Sequence, residues 1–127
     1  MAGSLSAEGP GREDCAVCGM WIDQNMHTRL VIETSDHSSL KFCSFACASK
    51  YLSGHASDAV DIKVADYLSA DLTEARAAYY VIGSDAPPVM SSISTVAFAS
   101  KSDALEFIKL HKGKLTTFDA ALRTYAR

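Results

Sequence analysis

The sequence predicts an α+β fold made of two related β-β-α-β modules, small mixed sheets with helices packed on them. Three observations carry this. Segments with strand-like alternation are interleaved with segments that carry an apolar stripe at helical spacing. "FCSFACASKYL" (42–52) and "FASKSDALEFI" (98–108) align without a gap, pairing Phe42 with Phe98, Tyr51 with Phe107 and Leu52 with Ile108, with His55 and His111 at the same offset beyond. The chain of 127 residues, 48% hydrophobic and 21% charged, is one domain's length with enough apolar residues for a packed core.

In chain order, "MAGSLSAEGPGRED" (1–14) is small, polar and rich in Gly and Pro, and reads as a disordered leader or linker. The folded region is expected over 15–127, with module one at about 15–70 and module two at about 75–127. In "HTRLVIETS" (27–35), Leu30 and Ile32 alternate with Arg29, Val31 and Glu33, as in a strand with one face more buried. "DHSS" (36–39) is a turn, and "LKFC" (40–43) a second short strand ending at Cys43. "SFACASKYLSGH" places Ala48, Tyr51, Leu52 and His55 on one helix face, with Gly54 near its end. "AVDIKVADYL" (59–68) alternates as a strand.

The second half repeats the plan. "AAYYVIGS" (77–84) and "STVAFAS" (94–100) read as strands flanking the irregular turn that "DAPP" imposes. "KSDALEFIKLHKG" carries the stripe Ala104, Phe107, Ile108, His111, and Gly113 stops it. "KLTTF" is a short strand and "DAALRTYAR" a closing helix. One asymmetry separates the halves: Cys43 and Cys47 align with Ala99 and Asp103, so the packing pattern does not itself require the thiols.

All four cysteines fall in two close pairs, Cys15/Cys18 and Cys43/Cys47. A CxxC on a turn, with Gly19 following, brings two sulfurs to one side. A strand–turn–helix junction can aim Cys43 and Cys47 at the same point, where the helix N-terminus favours thiolate. Four sulfurs in a tetrahedron suit Zn(2+). Thiolates suit Cu(I) as well, and an added thioether favours it. Met20 lies two residues past Cys18, within reach as an auxiliary ligand, and Met90 in "PPVM" is either a ligand or core filling. The alternatives are two disulfides in an exported protein, a thioredoxin-like dithiol, or unrelated buried thiols. His55 and His111 are expected to cap helix ends, and His27 and His37 to lie on the surface.

No Ser/His/Asp set, paired carboxylates or phosphate-cradling glycine loop is visible, so an enzyme is disfavoured. The net charge of −3, without a basic block, disfavours nucleic acid as a partner. No apolar run approaches the about 20 residues that span a bilayer. The leader lacks the apolar core of a signal peptide, which predicts a cytoplasmic location unless an export signal has been removed.

"CAVCGM", then "YYVIGSDAPPVM", then "TVAFASKSDALEFIKLHKGKLTTFDAAL" resemble the NosL family, accessory lipoproteins of nitrous oxide reductase maturation. The resemblance runs from Cys15 to about Leu122. It implies two related β-α modules similar to part of the organomercurial lyase, and a role in binding Cu(I) and delivering it to a copper enzyme outside the cytoplasmic membrane. By position it implies metal-binding roles for Cys15, Cys18, Met20 and Met90. "KFCSFACASKYL" resembles the second half of TRASH-type metal domains, which adds Cys43 and Cys47 to the set. The implied location is periplasmic or membrane-tethered, and the implied partner is a copper-receiving protein such as nitrous oxide reductase. A zinc-stabilised, four-cysteine protein interaction domain is the alternative, and a thiol enzyme a third reading.

Overall fold

A computed structural model describes residues 14–89, 91 and 93–125. The elements are β1 (Leu30–Thr34), β2 (Ser39–Phe42), α1 (Phe45–His55), β3 (Ala59–Ala65), β4 (Leu72–Glu74), β5 (Tyr79–Ile82), β6 (Thr95–Phe98), α2 (Lys101–His111), β7 (Lys114–Thr116) and α3 (Phe118–Tyr125). The expected leader lies almost wholly outside the described residues.

Two small sheets form, in the orders β2-β1-β3-β4 and β6-β5-β7. In each half the first strand is central and the next two flank it, with a helix between the flanking pair. Leu30 pairs with Phe42 on one side and Val64 on the other, while Tyr80 pairs with Ala97 and Thr116. The two β-β-α-β units therefore share one topology. The sheets are not mixed, as expected from the sequence, but antiparallel throughout. The physical reason is the strand order: each helix connects two strands that point the same way, but the central strand separates them, so no parallel neighbours arise.

Several boundaries differ from the sequence expectation. The strand expected over 59–68 ends at Ala65 because Asp66 turns the chain, its carboxylate accepting the Leu68 N–H at 2.8 Å and the Ser69 N–H at 3.2 Å. That turn leads into β4, a strand not expected from the sequence, which falls between the two anticipated modules and extends the first sheet. The strand expected over 77–84 shortens to Tyr79–Ile82, preceded by a 3-10 turn at Ala75–Ala77. Helix α1 continues through Gly54 to His55. Helix α2 ends at His111, two residues before Gly113, whose φ of +100° follows the +67° of Lys112. A Cβ at Gly113 would lie 2.7 Å from the Val81 side chain, so the close approach also requires glycine there.

The first sheet buries one face. Leu30, Ile32, Phe42, Ile62 and Val64 are all buried against α1, whereas Val60 on β3 is exposed. The second sheet is covered on both faces. Tyr80 on β5 joins the core that contains Phe45 of α1 and Phe118 of α3, while its neighbour Val81 joins Phe98 and Phe107 under α2. The period-2 alternation of a strand thus assigns adjacent residues to different cores. The sheets are tied together at the Asp66 turn, where Tyr67 N–H donates to Ala97 O and the Asp66 carboxylate accepts the Ala99 N–H, each at 2.8 Å. This packing sets α1 and β2 firmly beneath the loop that carries the first cysteine pair.

Candidate metal centre

The segment from Cys15 to Met20 closes on itself. Cys15 N–H donates to Met20 O at 2.8 Å and Gly19 N–H to Cys15 O at 3.0 Å. Gly19 takes a φ of +80°, a left-handed conformation that costs glycine little. The turn is fixed to the sheet by Ala16 N–H, which donates to Lys41 O on β2 at 2.8 Å, and by an antiparallel bridge between Asp14 and Trp21. Cys18 N–H points at Cys15 Sγ from 3.5 Å, so the turn presents a backbone donor to its own sulfur.

The second pair arrives from below. Cys43 follows β2 by one residue, and its carbonyl is held by Thr28 Oγ1 at 2.7 Å. Cys47 sits in the first turn of α1. The docked turn and this strand–helix junction bring all four sulfurs within 4.8 Å of one another. Cys18 Sγ lies 3.4 Å from Cys43 Sγ, and Cys43 Sγ lies 3.7 Å from Cys47 Sγ. A sulfur tetrahedron about 2.3 Å from a central zinc has edges of about 3.8 Å, so these separations fit a metal-sized hole. All four are free thiols, which sets aside the two-disulfide alternative for this conformation. Cys15, Cys43 and Cys47 are buried, and Cys18 is half-buried.

The thiols are not electrostatically alike. Burial pushes the Cys15 thiol up, but the N–H groups of Cys18, Cys43 and Val17 outweigh it and lower its pKa to about 7. For Cys47, burial first and then the charge of Cys15 push the pKa up to about 12. Burial and the contact with Cys18 hold the Cys43 thiol well above the ordinary range. The net direction at Cys43 and Cys47 is thus upward, against the expectation that the α1 N-terminus favours thiolate there. Enclosure of these two sulfurs is the leading cause, because it penalises the charged form.

Met20 is 37% exposed, and its carbonyl is committed to the turn. Met90 lies outside the described residues. His55 and His111 close α1 and α2 away from the thiols, with His55 Nδ1 3.1 Å from Tyr51 O and His111 Nδ1 2.8 Å from Asp85 Oδ1. His27 and His37 are exposed, as expected. Sequence reasoning missed Thr28, which anchors the Cys43 carbonyl from 15 residues away, and Ser44, whose Oγ lies 3.8 Å from Cys43 Sγ. Neither is marked by spacing. It also missed that Pro87, Pro88 and Val89 line a small cavity with Ser44 and Phe45 at the start of α1.

Among the described residues, two antiparallel sheets, three helices and four converging thiols define an α+β protein with a candidate soft-metal centre. The chain belongs to the NosL family, which it matches over residues 8–125. Among solved structures it is similar to the crystal structure of the copper chaperone NosL from Shewanella denitrificans, at 25% identity and a TM-score of 0.74, covering 90% of this chain and 92% of that one. No curated protein matches the chain. No helix among the described residues is long and apolar enough to cross a membrane.

Proposed function

We propose that this protein is a metallochaperone that carries Cu(I) on Cys15, Cys18, Cys43 and Cys47 and hands it on by ligand exchange, catalysing no reaction. The observation that carries the reading is the convergence of four free sulfurs within 4.8 Å, three buried and Cys18 half-buried. Soft thiolates select Cu(I). Burial of three ligands shields the ion from water, and the accessible fourth gives an incoming thiol or thioether a place to begin exchange. Similarity to a structure titled as a copper chaperone supports copper as the cargo. Met20, exposed at the mouth of the same turn, is the proposed auxiliary ligand during transfer. Met90 is proposed as a second one on the family resemblance alone. The proposed recipient is a copper enzyme, nitrous oxide reductase being the one the family implies, and the proposed location is outside the cytoplasmic membrane.

A zinc-stabilised interaction domain is the second reading. The Cys18–Cys43 and Cys43–Cys47 separations of 3.4 and 3.7 Å favour it, since they lie close to the edge of a closed zinc tetrathiolate. Elemental analysis of protein purified without added metal, followed by Cu(I) titration against a chromophoric chelator, separates the two. A carrier takes up Cu(I) tightly and releases it to an acceptor thiol. Stoichiometric zinc that Cu(I) does not displace, and without which the chain unfolds, overturns the carrier reading.

A further inference from the structure

We propose that Cys18 and Cys43 form a redox pair: a hydroperoxide converts them to a disulfide that dismantles the metal centre, and thiols restore it. This rests on the reading that the four thiols hold the metal, but not on which metal they hold.

Of the four sulfurs, Cys18 alone is half-buried, so an oxidant arriving from solvent meets it first. Its neighbour at 3.4 Å is Cys43, which is fully enclosed. The two are 25 residues apart in sequence, on different elements, with free sulfurs already in contact. The other partner within the CxxC is less well placed. Cys15 Sγ already accepts the Cys18 N–H at 3.5 Å, whereas Cys43 Sγ meets Cys18 Sγ directly at 3.4 Å. Cys47 touches Cys43 at 3.7 Å, but both are buried and neither is open to the first attack.

The chemistry balances in two steps. The Cys18 thiolate attacks one peroxide oxygen, the O–O bond breaks, and the departing oxygen takes a proton, leaving Cys18 as a sulfenic acid. The Cys43 sulfur then attacks the Cys18 sulfur, the S–O bond breaks, and the hydroxide leaves as water with the Cys43 proton. Two thiols are oxidised by two electrons, and one hydrogen peroxide is reduced to two waters. The disulfide removes two of four ligands, including the exposed one through which exchange begins. The product is thus a centre that neither keeps nor accepts a soft metal until reduced.

The test uses the reduced, metal-free full chain with one equivalent of hydrogen peroxide, quenched with N-ethylmaleimide. Intact mass should show the loss of two hydrogen atoms, with two thiols still alkylated, and peptide mapping should place the bond between Cys18 and Cys43. Zinc and Cu(I) uptake should be lost together and return with a phosphine reductant. In Cys43→Ser, dimedone should trap a sulfenic acid at Cys18. The wild-type peptide map stands by itself if that variant fails to fold. A bond between any other pair of the four cysteines, or four thiols untouched by peroxide, overturns the proposal. If the Cys18–Cys43 bond forms but metal uptake persists, the disulfide is real and the four-thiol metal reading is the part that fails.

Discussion

The ring of Phe42 meets that of Tyr51 with centroids 5.4 Å apart and planes tilted by 44°. The same contact recurs between Phe98 and Phe107, at 5.2 Å and 48°. Each helix ring in turn stacks on a histidine one turn later, Tyr51 on His55 and Phe107 on His111, both at 4.5 Å. Three residues that align in the sequence thus make one three-ring stack, built twice. In each half the last strand residue before the helix packs on the helix face four residues before its end. The repeat is therefore one of packing and not only of strand order. It also isolates what is different about the first copy: the residue after Phe42 is Cys43, and the residue after Phe98 is Ala99.

Phe98 is wholly buried in the smaller core with Val81, Val96 and Phe107, apart from the thiols. Phe98→Ala is expected to cost about 3–5 kcal/mol in urea unfolding of the apo protein, while metal stoichiometry under folded conditions stays unchanged. Phe42→Ala removes an equally buried ring directly before Cys43, and should lower both stability and metal affinity. Equal metal affinity in the two variants would mean that the aromatic stack does not position the thiol beside it.

Metal uptake should be proton-linked. With the Cys15 pKa at about 7 and that of Cys47 at about 12, a slightly alkaline solution holds much of Cys15 as thiolate while Cys47 stays protonated. Cys43, also raised, stays protonated with it. Ligation by thiolate must then expel the protons of Cys43 and Cys47, so affinity rises as pH rises through this window. These two thiols alone should make the logarithm of the association constant climb by about two per pH unit, so the total slope is at least that. Competition titrations at several pH values, or calorimetry in buffers of different ionisation enthalpy, read the slope directly. A pH-independent affinity would show that Cys43 and Cys47 are not ligands.

Asp66 holds the two sheets together. It is buried, and its carboxylate accepts N–H groups from Leu68, Ser69 and Ala99. Asp66→Ala leaves all three donors without that acceptor, in a site closed to water for most of its surface. A loss of roughly 1–3 kcal/mol is expected, measured as a lower urea midpoint. Metal affinity should be unaffected, because Asp66 contacts none of the thiols' anchors. A midpoint unchanged by the substitution would mean that water replaces the carboxylate without cost.

Much of this was legible in the sequence because it depends on local periodicity. The stripe Ala48, Tyr51, Leu52 marks α1, the alternation at Leu30 and Ile32 marks β1, and the paired spacing of the cysteines marks a shared point for their sulfurs. The rest depends on contacts distant in sequence. Nothing near Asp66 signals that Ala99, 33 residues on, donates to its carboxylate, and so β4 went unseen behind the turn. Thr28 reaches Cys43 across 15 residues and carries no spacing signature. The rise in the Cys43 and Cys47 pKa values was misjudged for a related reason. A helix N-terminus is visible in a sequence, whereas the burial that raises these pKa values is set by the whole fold.

Met20 offers the sharpest division between carrier and zinc domain. Its side chain is exposed beside the half-buried Cys18, and its backbone carbonyl already serves the turn, so the fold makes little use of the thioether. Met20→Leu keeps volume and apolar character and should change stability by less than ~1.5 kcal/mol. A thioether is a neutral, soft ligand, suited to holding Cu(I) loosely at the mouth of a thiolate site, and redundant to zinc already closed by four thiolates. In the carrier, Cu(I) affinity against a chromophoric chelator should fall, and release to an acceptor thiol should slow, with zinc affinity unaltered. Cys18→Ser weakens binding under either reading and so does not discriminate. Unchanged Cu(I) affinity and transfer rate in Met20→Leu, together with tightly held stoichiometric zinc, would instead place the function on the protein surface around a structural centre.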